Sequence, residues 1–293
     1  MGRWGARGLA LAALALLPSA CASVPAACPP LIDGVVWQTS HATARLHGDW
    51  HRLGARRLLV QWLEVDGTDF AAESAPAGGA ARPDWTRIGR EPWARGVWLG
   101  LAGAHDEALA RADVARLAAR SAQLAQGPAG GLPLRVSAWY FPVEIDPTWV
   151  PPTDLRRALA ALPRPLWVSA YDSANLGADA LAGWVERWLP ADVGILWQDG
   201  VGVHARTPAV AADYARRLAA RLGAARVQLI AEAFRPAPGG GFRSASAAEL
   251  LPQLHAYAGW PVWVFDGPHY LSNTRVAELL ALDAVQRSCR AAD

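Results

Sequence analysis

The sequence predicts an α/β fold: a single (β/α)8 barrel, a TIM barrel, behind an N-terminal signal segment. Three observations carry this expectation. Short apolar runs alternate with helical patterns along the chain, which implies parallel strands joined by crossover helices. Eight such units in about 260 residues match the count and size of a (β/α)8 barrel. Finally, Cys28 and Cys289 lie at opposite ends of the chain, where a barrel's first strand starts and its last helix ends on the same face. An open doubly wound sheet would not usually bring the termini together in this way, so the pair is expected to form a disulfide.

The chain divides into a signal peptide or lipoprotein signal (1–22), a short linker (23–32) and the barrel domain (33–293). Arg3 and Arg7 supply a positive start, 9–17 is an apolar stretch too short to span a bilayer, and Pro18-Ser19-Ala20-Cys21-Ala22 offers small residues for cleavage. Two processing routes are open. Cys21 after Ser19-Ala20 resembles a lipoprotein acceptor site, although Pro18 stands where Leu is usual. Alternatively, signal peptidase cuts after Ala22. Either route implies export to the periplasm or the outer membrane, with a possible tether through Cys21, and either leaves Cys28 and Cys289 in an oxidising compartment.

In order, the apolar runs are 34–38, 58–62, 96–101, 134–140, 166–171, 193–198, 227–232 and 261–265. Apolar residues spaced three and four apart predict helices over 106–126, 152–162, 178–189, 208–222, 247–258 and 274–290. Pro151-Pro152-Thr153-Asp154 and Ser244-Ala245-Ser246 read as helix starts, and Gly223 follows a helix end. The irregular part is 64–95, rich in Gly, Pro and Ala, with room for a short helix near 84–93. Gly239-Gly240-Gly241 lacks the Lys and Ser or Thr of a phosphate loop and reads as a flexible loop.

Composition excludes several partners. The net charge is +2, and the 28 basic residues are all Arg, scattered without a basic helix or patch, so no nucleic-acid partner is expected. No Gly-x-Ser-x-Gly elbow, dinucleotide fingerprint or phosphate loop occurs. His204 and His269 read as isolated, and no Cys or His cluster has metal-ligand spacing, so neither metal nor cofactor is expected. The fifteen Trp are unusual, because Trp is also a flat platform for sugar faces.

The ends of the apolar runs carry the chemistry. Trp139-Tyr140-Phe141-Pro142-Val143-Glu144-Ile145-Asp146, Ile195-Leu196-Trp197-Gln198-Asp199-Gly200-Val201-Gly202 and Val227-Gln228-Leu229-Ile230-Ala231-Glu232-Ala233-Phe234 each run from strand character into an acid or amide. In a barrel these ends converge on the C-terminal face, where active sites of this fold sit. Gln38, Gln61, Trp62, Tyr140, Tyr171, Gln198, Trp263 and Asp266 are the expected substrate-binding residues, with Glu64 and Asp172 nearby. Paired acids, aromatic platforms and no metal are the requirements of glycoside hydrolysis. On this reading Glu144 is the acid/base, Glu232 the nucleophile, and Asp199 tunes one of them or binds a sugar hydroxyl. The alternative is a non-catalytic, carbohydrate-binding envelope lipoprotein that assists polysaccharide export. A monomer is expected.

WYFPVEID, ILWQDGVG, the Glu of LIAEAF and the early VQW resemble the bacterial family designated domain of unknown function 4434, described as TIM-barrel proteins of the glycoside hydrolase kind. The resemblance covers nearly all of the mature chain, and Gln198-Asp199-Gly200-Val201-Gly202 is its most specific piece. It implies a barrel and a carbohydrate-active role for Glu144, Gln198, Asp199 and Glu232. One departure stands out: Val143 precedes Glu144, where the large clan of retaining barrels has Asn. The usual contact to the sugar 2-hydroxyl is therefore missing, which leaves inverting chemistry or lost catalysis open.

Overall fold

Period-two alternation within short strands sorts their side chains to two sides of a barrel wall. In a computed structural model of the chain, describing residues 1–2, 26–72 and 81–289, all eight expected strands form. They are β1 (Gly34–Trp37), β2 (Arg57–Val60), β3 (Gly96–Gly100), β4 (Val136–Tyr140), β5 (Leu166–Ala170), β6 (Val193–Gln198), β7 (Val227–Glu232) and β8 (Val262–Phe265). Each pairs in parallel with its neighbours in sequence, and β8 returns to β1, closing the barrel. The expected signal segment and Cys21 lie outside the described residues. No helix among the described residues is long and apolar enough to cross a membrane.

The helices are α1 (Trp85–Ile88), α2 (Glu107–Ala112), α3 (Val114–Gln126), α4 (Leu155–Ala160), α5 (Ala178–Trp188), α6 (Pro208–Leu222), α7 (Ala247–Ala256), α8 (Gly267–Tyr270) and α9 (Asn273–Arg287). Two expectations need correction. The helix expected over 106–126 is two helices, because Asp113 (φ −112°, ψ 24°) leaves helical geometry and lets α2 take its own direction. The helix expected over 152–162 starts only at Leu155, since Asp154 adopts φ 65° and makes no side-chain cap. The other start is as read: Ser246 and Glu249 form a reciprocal capping box on α7. Gly239-Gly240-Gly241, all at positive φ, turns a small hairpin between Phe234–Pro236 and Phe242–Ser244.

Inside the barrel, Val36, Leu59, Trp98, Ala138, Tyr140, Trp167, Leu196, Ile230 and Trp263 form one buried cluster. Its floor is three indoles, with Trp98 stacked 4.5 Å from Trp167 and tilted 4.6 Å from Trp263. Two glycines make room for them: a Cβ on Gly34 would lie 2.5 Å from the Trp263 ring, and one on Gly194 would lie 2.4 Å from the Trp167 ring. Arg57 lies against the Trp263 ring at 5.0 Å. Other Trp residues fill the layer between barrel and helices. Trp37, Trp50 and Trp197 are fully buried, with their indole N–H groups donating to Thr43, Leu271 and Ala211. The Trp content thus serves packing first.

The termini meet as the barrel requires. Cys28 and Cys289, separated by 261 residues, are disulfide-bonded with Cα atoms 5.1 Å apart.

Candidate active site

The ends of β4, β6 and β7 bring Glu144, Gln198 and Glu232 to the C-terminal mouth. Below them lies a cavity of about 150 Å³ lined by Val36, Leu59, Gln61, Glu107, Tyr140, Glu144, Ser169, Gln198, Ile230 and Phe265. The aliphatic residues form its base, the uppermost layer of the barrel core, and the polar groups form its walls. Tyr140 donates its hydroxyl to Ser169 Oγ at 2.8 Å, which fixes one wall. Burial pushes the Tyr140 phenol far up, so it stays neutral.

Glu144 follows β4 on an extended segment, behind the fully buried Phe141 and Val143. Its Oε2 accepts from Gln198 Nε2, and its Oε1 lies 3.8 Å from Arg111 Nη2. Burial, and next the nearby Glu107 charge, push the Glu144 carboxyl up to about 7, against the Gln198 hydrogen bond and Arg111.

Glu232 ends β7 and is 6% exposed. Its Oε2 accepts from the Gly202 amide at 2.7 Å. That approach requires glycine, because a Cβ on Gly202 would sit 2.7 Å from Glu232 Cβ. Burial, and next the Asp199 charge, push the Glu232 carboxyl up to about 8.

Asp199 is fully buried. Its Oδ1 accepts from the amides of Val201 (3.1 Å) and Glu232 (3.3 Å), and its Oδ2 from Gln253 Nε2 (2.5 Å) and Tyr257 OH (2.7 Å). Burial raises Asp199 as well. Even so, four donors favour the carboxylate on Asp199, and within this coupled pair the proton belongs to Glu232. Asp199 therefore puts a charge beside Glu232. As a ligand for a sugar hydroxyl it is corrected, because no part of it reaches the mouth.

Several expected binding residues are placed elsewhere. Trp263 is fully buried in the barrel floor, donating to Gln228 Oε1 at 2.7 Å, and is corrected as a platform. Trp62 is also corrected: 3% exposed, it donates to the Thr39 carbonyl at 2.8 Å and packs edge-on to His105. Asp266 is fully buried. It accepts from the Gln38 amide (3.1 Å) and pairs with His269 Nδ1 (2.6 Å), so it ties the loop after β1 to α8 instead of meeting substrate. His269 is therefore not isolated, and the Asp266 carboxylate raises its pKa. Gln38 is half-buried and outside the cavity lining. Tyr171 is half-buried beside Arg206, whose guanidinium lies 5.1 Å from its ring. Asp172 binds the Leu176 and Gly177 amides and Tyr214 OH at 2.9 Å each. Glu64 pairs with Arg120 at 2.8 Å, on α3.

Sequence reasoning missed Glu107. Its position after β3, at the first turn of α2, was a signal, but Asp106-Glu107 there reads equally well as helix capping. Asp106 is that cap, accepting from Leu109 N at 3.0 Å, whereas Glu107 turns into the cavity. Burial raises the Glu107 carboxyl too.

No family model matches the chain, and no curated protein matches it. Similar solved structures include two with described activities. One, described as "a putative alpha-L-fucosidase from Bacteroides thetaiotaomicron VPI-5482", has a TM-score of 0.57 at 14% identity, over 92% of this chain and 98% of that one. The other, a chitinase from Chromobacterium violaceum ATCC 12472, has a TM-score of 0.44 at 13% identity, over 84% of this chain and 98% of that one. At such identity the likeness to the first concerns the fold, and what the two chains share is the barrel.

Proposed function

We propose that this protein is a glycoside hydrolase-like enzyme that cleaves a polysaccharide or oligosaccharide at the mouth of the barrel, with Glu144 and Glu232 as its working carboxyls. The observation that carries the reading is a pair of carboxyls at the ends of β4 and β7, Glu144 half-buried in the cavity wall and Glu232 buried behind the cavity lining, raised to about 7 and about 8, where ordinary glutamates would be ionised. Groups tuned toward the working pH are what general acid–base catalysis requires. The resemblance of the strand-end motifs to domain of unknown function 4434 supports the same reading.

Burial and the Asp199 charge favour a division of labour opposite to the one read from the sequence. Glu232, beside the ionised Asp199, holds its proton and donates it to the leaving glycosidic oxygen. Glu144, close to half-ionised at neutral pH, takes a proton from the attacking water or itself attacks the anomeric carbon. Gln61 and Gln198, which line the same cavity, are placed to bind sugar hydroxyls. Export belongs to this proposal, and the Cys28–Cys289 bridge supports it, because such bridges persist in oxidising compartments.

One observation favours the second reading, a carbohydrate-binding envelope protein without catalysis: Val143 precedes Glu144, where the large clan of retaining barrels has the Asn that contacts the sugar 2-hydroxyl. The test is reducing-end release from a panel of bacterial exopolysaccharides and plant glucans by the wild type, Glu144→Gln and Glu232→Gln, with binding measured in parallel. Release by the wild type that both variants abolish, with binding kept, is the expected result. Binding by all three proteins without release on any polymer moves the protein to the second reading.

A further inference from the structure

Helix α2 touches Glu144 at two points. Glu107 Oε2 accepts the Glu144 amide hydrogen at 3.0 Å, and Arg111 donates its Nε–H to the Glu144 carbonyl, also at 3.0 Å. Residues four apart share one helix face, so a single short element grips the peptide groups on both sides of the Glu144 Cα. The same two side chains act on the carboxyl through charge. Glu107 lines the cavity with it, and Arg111 Nη2 lies 3.8 Å from Glu144 Oε1. Arg111 is itself steadied by Trp149, whose ring lies 5.7 Å from its guanidinium.

We propose that Glu107 and Arg111 are positioning residues forming a two-point clamp on Glu144, which fixes its backbone and sets its proton affinity by opposed charges. Glu107 favours the protonated carboxyl and Arg111 the carboxylate. The other groups facing Glu144 do not supply this opposition. Gln198 on β6 is uncharged. Asp146, further along the same loop and held as a carboxylate by Thr148 and the Ser173 amide, adds to the Glu107 side but acts less strongly on Glu144. The Tyr140 and Tyr171 phenols are pushed further from ionisation. Glu232 keeps its proton beside Asp199. Among the charged neighbours Glu107 acts most strongly on Glu144.

The inference rests on Glu144 being a working group of the proposed hydrolase, but its test needs no turnover. In protein carrying glutamate labelled with ¹³C at the side-chain carboxyl, the Glu144 signal is assigned by its loss in Glu144→Gln and then titrated. Glu107→Gln, which keeps an oxygen for the backbone N–H but removes the charge, lowers the Glu144 midpoint by about one pH unit or more. Arg111→Gln raises it, and the double variant returns toward wild type. A purely structural contact would move both single variants in the same direction. That result, or an unmoved midpoint in Glu107→Gln, overturns the proposal. Should Glu107→Gln fail to fold, Arg111→Gln decides alone, and a midpoint that does not rise is fatal. Opposed shifts without cleavage of any polymer would refute the hydrolase reading while leaving the clamp in place.

Discussion

Glu144→Gln isolates the energetic consequence of the proton held at the cavity. In the folded chain, burial and Glu107 raise the Glu144 carboxyl from 4.5 to about 7, while in the unfolded chain it titrates near its ordinary value. Below about pH 4.5 both states hold the proton, and the group has no differential effect. As pH rises from about 4.5 to about 7, the unfolded chain releases its proton first. The folded state loses relative stability across that window and levels off above it. The displacement corresponds to roughly 3 kcal/mol, a large share of a folding free energy of about 5–15 kcal/mol. Glutamine cannot ionise, so the variant should gain about 3 kcal/mol on wild type between about pH 4.5 and about pH 8. Its amide oxygen can still accept from Gln198, which keeps the contact shown by the carboxylate. Urea-denaturation midpoints of both proteins at the two pH values give the number, and the other titrating groups largely cancel in the difference. A wild-type-to-variant difference that is the same at both pH values, or that turns toward wild type at high pH, refutes the raised carboxyl and with it the case for a tuned site.

Gly194→Ala places a methyl 2.4 Å from the Trp167 ring in the barrel floor and should cost about 1–3 kcal/mol in thermal unfolding; an unchanged midpoint would show that the floor can give. Asp199→Asn removes the charge beside Glu232 and puts an amide where Gln253 and Tyr257 donate. It should destabilise the fold by about 2–3 kcal/mol and lower the Glu232 titration midpoint. A midpoint that stays in place in the folded variant, read by the same carboxyl ¹³C signal, would sink the tuning role. The double variant Cys28→Ser, Cys289→Ser opens a loop of 261 residues and should lose stability, with a polymer-model ceiling of about 5 kcal/mol. Dithiothreitol on the wild type should reproduce the loss, and a variant as stable as wild type would mean the bridge adds nothing.

The barrel was legible because its signals are local. Short apolar runs such as Val227–Glu232 and helical spacings such as Pro208–Leu222 form with the bounds read from the pattern. Once strands and helices alternate eight times, closure follows, and so does the meeting of Cys28 with Cys289. The same logic put Glu144, Gln198 and Glu232 at the mouth, since a strand's end fixes which face of a barrel its side chains reach. It could not tell which strand-end residues remain open to a ligand. That depends on what the rest of the chain lays over them. Gln253 and Tyr257, 54 and 58 residues after Asp199, reach back to enclose it. Trp62 and Trp263 look like platforms in the sequence but go inside, because Thr39 and Gln228 satisfy their indole N–H groups there. Glu107 shows the converse. Locally it is one more acid at a helix start, and only the turn of α2 toward the loop after β4 makes it a wall of the cavity. Sequence periodicity determines where a side chain stands on the barrel; long-range packing decides whether that side chain meets water, a partner or a substrate.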